Sequence, residues 1–242
     1  DLKKLSKEIN ELERKITLFH AKITKELSDK NEKILVGFHG QTIYHNAMEK
    51  ISRQLGDGKL LYQLTKRKII YNFRENDILN GGEGAPLTPI FHQLIATQKK
   101  IKLPICILNI GGISNATIVS DDELFSRDIG PGNCLIDTWV RKNSEKKFDH
   151  DGYLASIGKK NEIIFEQAQE LYYNRNKEKK SFDTNDFDIS FSRGLSLEDG
   201  TTTLTEFTGS IIAETISLLA KKGKTFNNII ICGGGRKNQV LI

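Results

Sequence analysis

Asp128 stands between two glycine turns, Gly111-Gly112 and Gly130-Pro131-Gly132, in the stretch LNIGGISNATIVSDDELFSRDIGPGN that runs from Leu108 to Asn133. Glycine lets backbone N–H groups approach a ligand closely, and a row of such donors favours an anion. A carboxylate beside an anion site suits phosphoryl transfer, which needs donors for phosphate oxygens and a base to prepare the nucleophile. Plainer readings stand beside this one. The Gly-Gly link in NIGGISN can wrap a phosphate, or it can simply close a tight hairpin. In RDIGPGN a following helix N-terminus suits a phosphate, or Asp128 caps a turn and Asn133 caps the helix. Asp137 reads as a solvated or capping acid rather than a metal ligand.

Other clusters carry polar chemistry. GFHGQT places His39, Gln41 and Thr42 after a buried strand, a set of donors and acceptors suited to sugar hydroxyls or to a local turn. NFRENDILNGGEGAPL holds Arg74 and Asp77, which can grip substrate or pair with each other at the surface. The acids and hydroxyls of SFDTNDFD and LSLEDGTTTLTEFT read as solvated loop acids and as caps at Thr201 or Thr202, ahead of metal binding. ICGGGRKN offers Gly233, Gly234 and Gly235 as a flat backbone for a base or ribose, a weak signal alone. His45 falls near the end of the first strand; His20, His92 and His150 have no evident partners.

The elements that must position these residues alternate. Apolar residues three or four apart from Leu2 to Leu27 predict an amphipathic helix packed on a sheet. Strands are expected at 34–38, 105–110, 113–119, 124–129 and 229–232, with a strand pair over 51–73. A turn or hinge is expected over 74–89, marked by glycines at 81, 82 and 84. Helices are expected at 89–99, 132–144, 152–175 and 203–222, the last stopped by Gly223. Interleaved strands and helices make the class α/β, with a first lobe over 1–77 and a second over 78–242.

Composition narrows the class. Hydrophobic residues make up 38% of 242 residues and mean hydropathy is -0.40, ordinary for a globular protein. No apolar run approaches the ~20 residues a membrane span needs, and no segment has the layout of a signal peptide, so a cytoplasmic protein is expected. The formal charge of +5 comes largely from scattered lysines such as 177–180 and 221–222, without aromatics between them, which argues against a nucleic-acid partner. An odd count of cysteines, Cys106, Cys134 and Cys232, at no metal-ligand spacing reads as buried apolar residues.

The order of phosphate hairpin, acid, long helices and glycine turn resembles the actin-like ATPase fold. The blocks GFHGQT (37–42), FREND…GGEGAPL (73–87), LNIGGISN (108–115), DIGPGN (128–133), LSLEDGTTTLTEFT (195–208) and ICGGGRKN (231–238) resemble the anhydro-N-acetylmuramic acid kinase family. That resemblance implies a two-lobed sugar kinase that opens 1,6-anhydro-N-acetylmuramic acid with water and phosphorylates its six-position oxygen from ATP, in cell-wall recycling. Asp128 would be the catalytic base. Asn109, Gly111 and Gly112 would form a phosphate hairpin, with Gly130, Gly132 and Asn133 beside it and Gly233, Gly234 and Gly235 by the adenosine. His39, Gln41, Thr42, Arg74 and Asp77 would contact the sugar. ATP and Mg²⁺ are the implied cofactors, with no dedicated protein metal site, and a homodimer is left open. Ile129, Asn72 and Glu83 depart from the family's Thr, Asp and Gln. The chain opens at Asp1, has Met48 as its one methionine, and stops at Ile242. It lacks the family's opening G-x-M-S-G-T-S-x-D-G turn and its closing segment, so a fragment at both ends and a weak or inactive kinase are expected. A non-catalytic remnant that keeps sugar or nucleotide binding is the alternative; an actin-like interaction protein driven by the helix at 1–29 is a third.

Overall fold

The computed structural model describes residues 2–29, 33–46, 48–176 and 182–242; the lysine run at 177–180 and Ser181 lie outside them. Contacts divide the chain into two compact units, 1–87 and 88–242.

The first unit opens with helix α1 (Leu2–Glu26), followed by strands β1 (Leu35–Phe38), β2 (Gln41–Asn46) and β3 (Ile51–Leu55). Helix α2 (Gly58–Thr65), strand β4 (Lys68–Tyr71) and helix α3 (Phe73–Leu79) complete it. β1 pairs with β4 in parallel, and β2 with β3 antiparallel. The region from 51 to 73 is thus strand–helix–strand rather than a strand pair. Asp57 explains the helix: its side chain accepts from Leu60 N–H at 2.9 Å and caps α2. Helix α3 also runs into the expected hinge, because the breaking glycines come only after it.

The helix α1 forms as expected, but it seats on a face beside its apolar stripe. Leu5 and Phe19 are 52% and 61% exposed, whereas Thr17 and Ala21 are buried. Polar bonds set this face. Glu13 Oε1 accepts from Gly56 N–H at 3.1 Å, and Thr17 Oγ1 accepts from Asp57 N–H at 3.0 Å. Small residues at 17 and 21 let the helix approach the start of α2 closely. Phe38 and Leu61 complete the small core with Ala21.

The second unit holds helix α4 (Thr88–Gln98), strands β5 (Ile105–Ile110), β6 (Ile113–Val119) and β7 (Leu124–Pro131), and helices α5 (Cys134–Asn143), α6 (Tyr153–Ile157), α7 (Glu162–Asn176) and α8 (Leu197–Lys221), then strand β8 (Asn228–Cys232). The sheet order is β7-β6-β5-β8, with only the β5–β8 pair parallel. β5 is apolar from Ile105 to Leu108, and most residues of β5 and β6 are buried, as expected where both sheet faces are covered. One face packs on α8 through Ile212, Ile216 and Leu219. The other packs under Ala96 of α4. A second core joins α5, α7 and α8 around Trp139, Leu204 and Phe207.

Two helix boundaries differ from the sequence reading. The helix expected over 152–175 is split, because Gly158 lies against the main chain of Glu198, where a Cβ would come within 2.3 Å. Asn161 then starts α7, its side chain accepting from Ile164 N–H at 3.1 Å. Helix α8 begins at Leu197, capped by Ser196, whose Oγ accepts from Asp199 N–H at 3.0 Å. Thr201 and Thr202 are therefore interior residues, and their hydroxyls donate to carbonyls one turn back, 2.7 Å to Leu197 and 2.9 Å to Glu198. Buried Gly200 clears space for the Trp139 ring, which a Cβ would meet at 2.3 Å.

Gly200→Ala sets two effects against each other. Alanine favours an interior helix position by ~1 kcal/mol, but displacing a packed indole costs about 1–3 kcal/mol. Trp139 also donates from Nε1 to Leu197 O at 3.0 Å, so its ring cannot simply rotate away. The overlap wins: chemical denaturation should show a net loss of up to about 2 kcal/mol.

Candidate functional site

Asp128 lies inside β7 rather than at its end, because the strand continues to Pro131. Pairing with β6 shifts register between Ser114 and Asn115, so that Asn115 faces Asp128 while Ser114 faces Gly130. Ile129 is the extra residue of this bulge. Such bulges bend a strand and re-aim the neighbouring side chain. The bulge is held from below: Thr215 of α8 donates its hydroxyl to Ile129 O at 3.2 Å. Gly130, at φ +154°, sits where a Cβ would come within 2.7 Å of Ile211. Ile129 itself is buried in the sheet–α8 core, so its side chain faces packing rather than solvent. The half-buried Asp128 carboxylate accepts from the main-chain N–H of Phe182 at 2.9 Å.

The two glycine turns interlock. Gly132 N–H and Cys134 N–H donate to Gly112 O at 2.9 and 3.1 Å, and Asn133 N–H donates to Gly111 O at 2.7 Å. The Gly132 approach leaves no room for a side chain, since a Cβ would lie 2.3 Å from Gly111 O. The Asn133 side chain makes no helix cap; its Nδ2 donates to Ile110 O at 3.3 Å and to Gly111 O at 3.0 Å. The amides at the start of α5 are thus engaged by the hairpin carbonyls, whereas Gly112 is exposed at the hairpin tip.

Gly233 and Gly235 press on the same hairpin from the other side. A Cβ on Gly233 would meet Ile110 O at 2.4 Å, and one on Gly235 would meet Ile110 Cγ2 at 2.3 Å. Gly234 between them is exposed, and a Cβ there would meet only Asn133 Nδ2, at 3.7 Å. Asn109 accepts from the Cys232 thiol at 3.8 Å across the parallel β5–β8 pair. Beside Gly234 opens a cavity of about 610 Å³, lined among others by Asn133, Asp137, Phe148, His150 and Arg236. Its volume lies in the range of small-molecule sites. Phe148 and His150 stack with ring centres 6.0 Å apart, which gives His150 a partner the sequence did not reveal.

Three acids near this cavity differ in state. Asp149 is 7% exposed and accepts from Leu154 and Ala155 N–H at 2.7 and 3.1 Å, capping α6. Burial pushes the Asp137 carboxyl up, opposed by Arg141 and reinforced by Asp149. His150 and Asp151 pair at 3.1 Å in the open. Among the described residues no group of three His, Cys, Asp or Glu converges on a metal position. Burial raises the Cys106 and Cys134 thiols to about 11, so neither is a ready nucleophile.

In the first unit, Arg74 joins two of the expected sugar residues' neighbourhoods: Nε donates to His39 Nε2 at 3.2 Å and Nη1 to Gly84 O at 2.7 Å. Asp77 accepts from Gly84 N–H at 2.7 Å and so braces the glycine loop. Thr42 accepts from Gln54 at 3.3 Å, and Gln41 is exposed. His39 alone of these five lines a cavity of about 400 Å³ with Ser52, Gln54, Asn72 and Glu75. Asn72 holds φ +61°, a conformation asparagine tolerates better than most side chains.

A family model described as anhydro-N-acetylmuramic acid kinase matches residues 3–242. Anhydro-N-acetylmuramic acid kinase of Pelagibacter ubique (strain HTCC1062) is 54% identical, over 100% of this chain and 66% of its own length. Those of Agrobacterium fabrum (strain C58) and Zymomonas mobilis subsp. mobilis (strain ATCC 31821) are each 36% identical over 97% of this chain and 64% and 65% of their own. The chain therefore spans just under two thirds of these relatives. Among solved structures, the activator of the 2-hydroxyisocaproyl-CoA dehydratase from Clostridium difficile with bound ADPNP is similar over 86% of this chain and 81% of its own, at 12% identity and a TM-score of 0.39.

The state of Asp137 makes a pH-dependent prediction. Its folded carboxyl prefers the proton more than the unfolded one, whose ordinary value is 3.8, so ionisation weakens the fold as pH rises. Asp137→Asn should leave the thermal midpoint unchanged at pH 3 and raise it at pH 7.

Proposed function

The chain belongs to the anhydro-N-acetylmuramic acid kinase family, and from that premise we propose that it acts as an ATP-dependent sugar kinase on 1,6-anhydro-N-acetylmuramic acid. The observation that carries the reading is Asp128: a carboxylate aimed by a strand bulge, beside two interlocked glycine turns.

In this mechanism a water adds at the anomeric carbon while Asp128 takes its proton. The bond from that carbon to the bridging six-position oxygen breaks, and this oxygen attacks the γ-phosphorus of ATP. ADP leaves, and N-acetylmuramic acid 6-phosphate forms, with one proton left over. The acceptor oxygen needs no separate base, since ring opening supplies its electron pair. This chemistry belongs to the reuse of cell-wall sugar in the cytoplasm. No described helix is long and apolar enough to cross a membrane.

Binding roles follow from exposure. Asn109, Gly111 and Gly112 would form the phosphate-side turn, with Gly112 presenting its open edge. Gly130, Gly132 and Asn133 would keep that turn in shape. The cavity beside Gly233, Gly234 and Gly235 would take the nucleoside, with Phe148 and His150 as its aromatic wall. His39, Gln41, Thr42, Arg74 and Asp77 would supply sugar contacts. Mg²⁺ fits no dedicated group of protein ligands among the described residues; it would travel on the nucleotide phosphates and offset their charge.

The test is ADP release with the anhydro sugar, ATP and Mg²⁺, with binding of a fluorescent ATP analogue measured in parallel. Asp128→Asn should lower kcat by ~100-fold or more and leave analogue binding within twofold. Equal turnover in the variant, or none in a protein that carries this chain at the full length of its relatives, would defeat the proposal.

A further inference from the structure

We propose that the turn at 182–186 is a positioning element for Asp128, acting through the main-chain N–H of Phe182. The inference rests on Asp128 being the base. It starts from the short sequence DTND, whose acids lie three apart. Asp183 N–H donates to Asp186 Oδ2 at 2.6 Å, Asn185 N–H donates to Asp183 Oδ1 at 2.9 Å, and Asp186 N–H donates to Asp183 O at 3.0 Å. This reciprocal cap braces the turn from within, so its acids serve geometry rather than a metal.

Aromatic packing then fixes where the turn sits. Phe182 packs on Phe187 with ring centres 5.4 Å apart, Phe187 stacks on Tyr172 at 6.3 Å, and Tyr172 meets Phe207 edge-on at 6.0 Å. The turn is thereby tied to α7 and α8, the second of which also supports the bulge. From that anchor it reaches both parts of the site. Phe182 N–H donates to Asp128 Oδ2, and Thr184 Cγ2 lies 3.6 Å from where a side chain on Gly112 would begin.

The effect on Asp128 is specific. The terminal torsion of an aspartate is soft, so a main-chain donor on one oxygen selects an orientation. The same donor favours the ionised form, which a base requires. Arg127 in the same strand donates from Nε to the Asp128 carbonyl. The Tyr172 phenol stays protonated, pushed up to about 12 by burial. Asp183 and Asp186 are taken up by the turn.

Carboxyl ¹³C NMR reads this directly, with the Asp128 signal assigned by its loss in Asp128→Asn. Phe182→Pro removes the donor; Asp186→Ala loosens the turn and keeps the N–H. The Asp128 midpoint should rise by about one unit in the first, as expected for losing one main-chain donor, and by less in the second. In turnover, the acid limb of the pH profile should move by the same amounts. If Phe182→Pro fails to fold by circular dichroism, Asp186→Ala decides. An unmoved midpoint in a folded variant overturns the positioning role alone; turnover indifferent to Asp128→Asn overturns the base assignment and leaves the titration result standing.

Discussion

Carbonyl oxygens of one glycine turn sit in the grip of the amides of the other, and the second unit is arranged around that clasp. Each bond is modest, about 1 kcal/mol net, but Gly132, Asn133 and Cys134 make theirs to only two residues. The clasp fixes the hairpin tip relative to the start of α5. It also explains why bulk is excluded at 132, 233 and 235, where an added methyl would collide with Gly111 or Ile110. A consequence runs against simple expectation. The positive end of α5 is answered by protein carbonyls, so the phosphate binding proposed here would depend on what the clasp leaves facing outward, chiefly Gly112 and the edge at Gly234.

The clasp would be of little use without a carboxylate set at a fixed place beside it, and that placement comes from α8. A regular β7 would alternate its side chains on a two-residue period. The inserted Ile129 breaks the period: its side chain enters the core and Asp128 remains beside the turns. Thr215 receives the displaced carbonyl through its hydroxyl. A buried carbonyl without a donor would cost about 1–3 kcal/mol, so the helix makes the bulge tolerable. Long α8 thus links the strand geometry to the packing around Trp139 at its other end.

Much of this was visible in the residues, and the exceptions share a cause. β5, β6 and β8 were legible because each sets β-branched residues against a glycine turn at one end, and α4 because apolar spacing and Pro89 agree. Misreadings arose where a side chain acted on backbone distant from the local pattern. Asp57 turned an expected strand into α2 by capping it. Gly158 was pressed flat by α8 and split a helix. Thr201 looked like a cap only because Ser196, the true one, lay just upstream. Tertiary bonds of Glu13 and Thr17 likewise fix the seated face of α1, which its apolar spacing does not reveal. Asp128 itself was found from its glycine neighbours, whereas Thr215 and Phe182 carry no local signal: their link to it exists only after folding.

Three aspartates of the second unit show how environment, rather than residue type, assigns work. Asp149 is deeply buried and has both oxygens met by main-chain amides, which makes it a fastener for α6. Asp137 loses solvent without gaining such donors, and it faces the nucleoside-sized cavity with its carboxyl pushed up. A group left in that condition weakens the folded state at neutral pH. Asp128 lies between these extremes, half-buried and met by a main-chain donor from a turn outside its own sheet. It is held firmly enough to point and is not enclosed. That intermediate setting suits the proton acceptor proposed for it: a carboxylate enclosed like Asp149 could not receive a proton from water, and one set fully in solvent would not keep its aim.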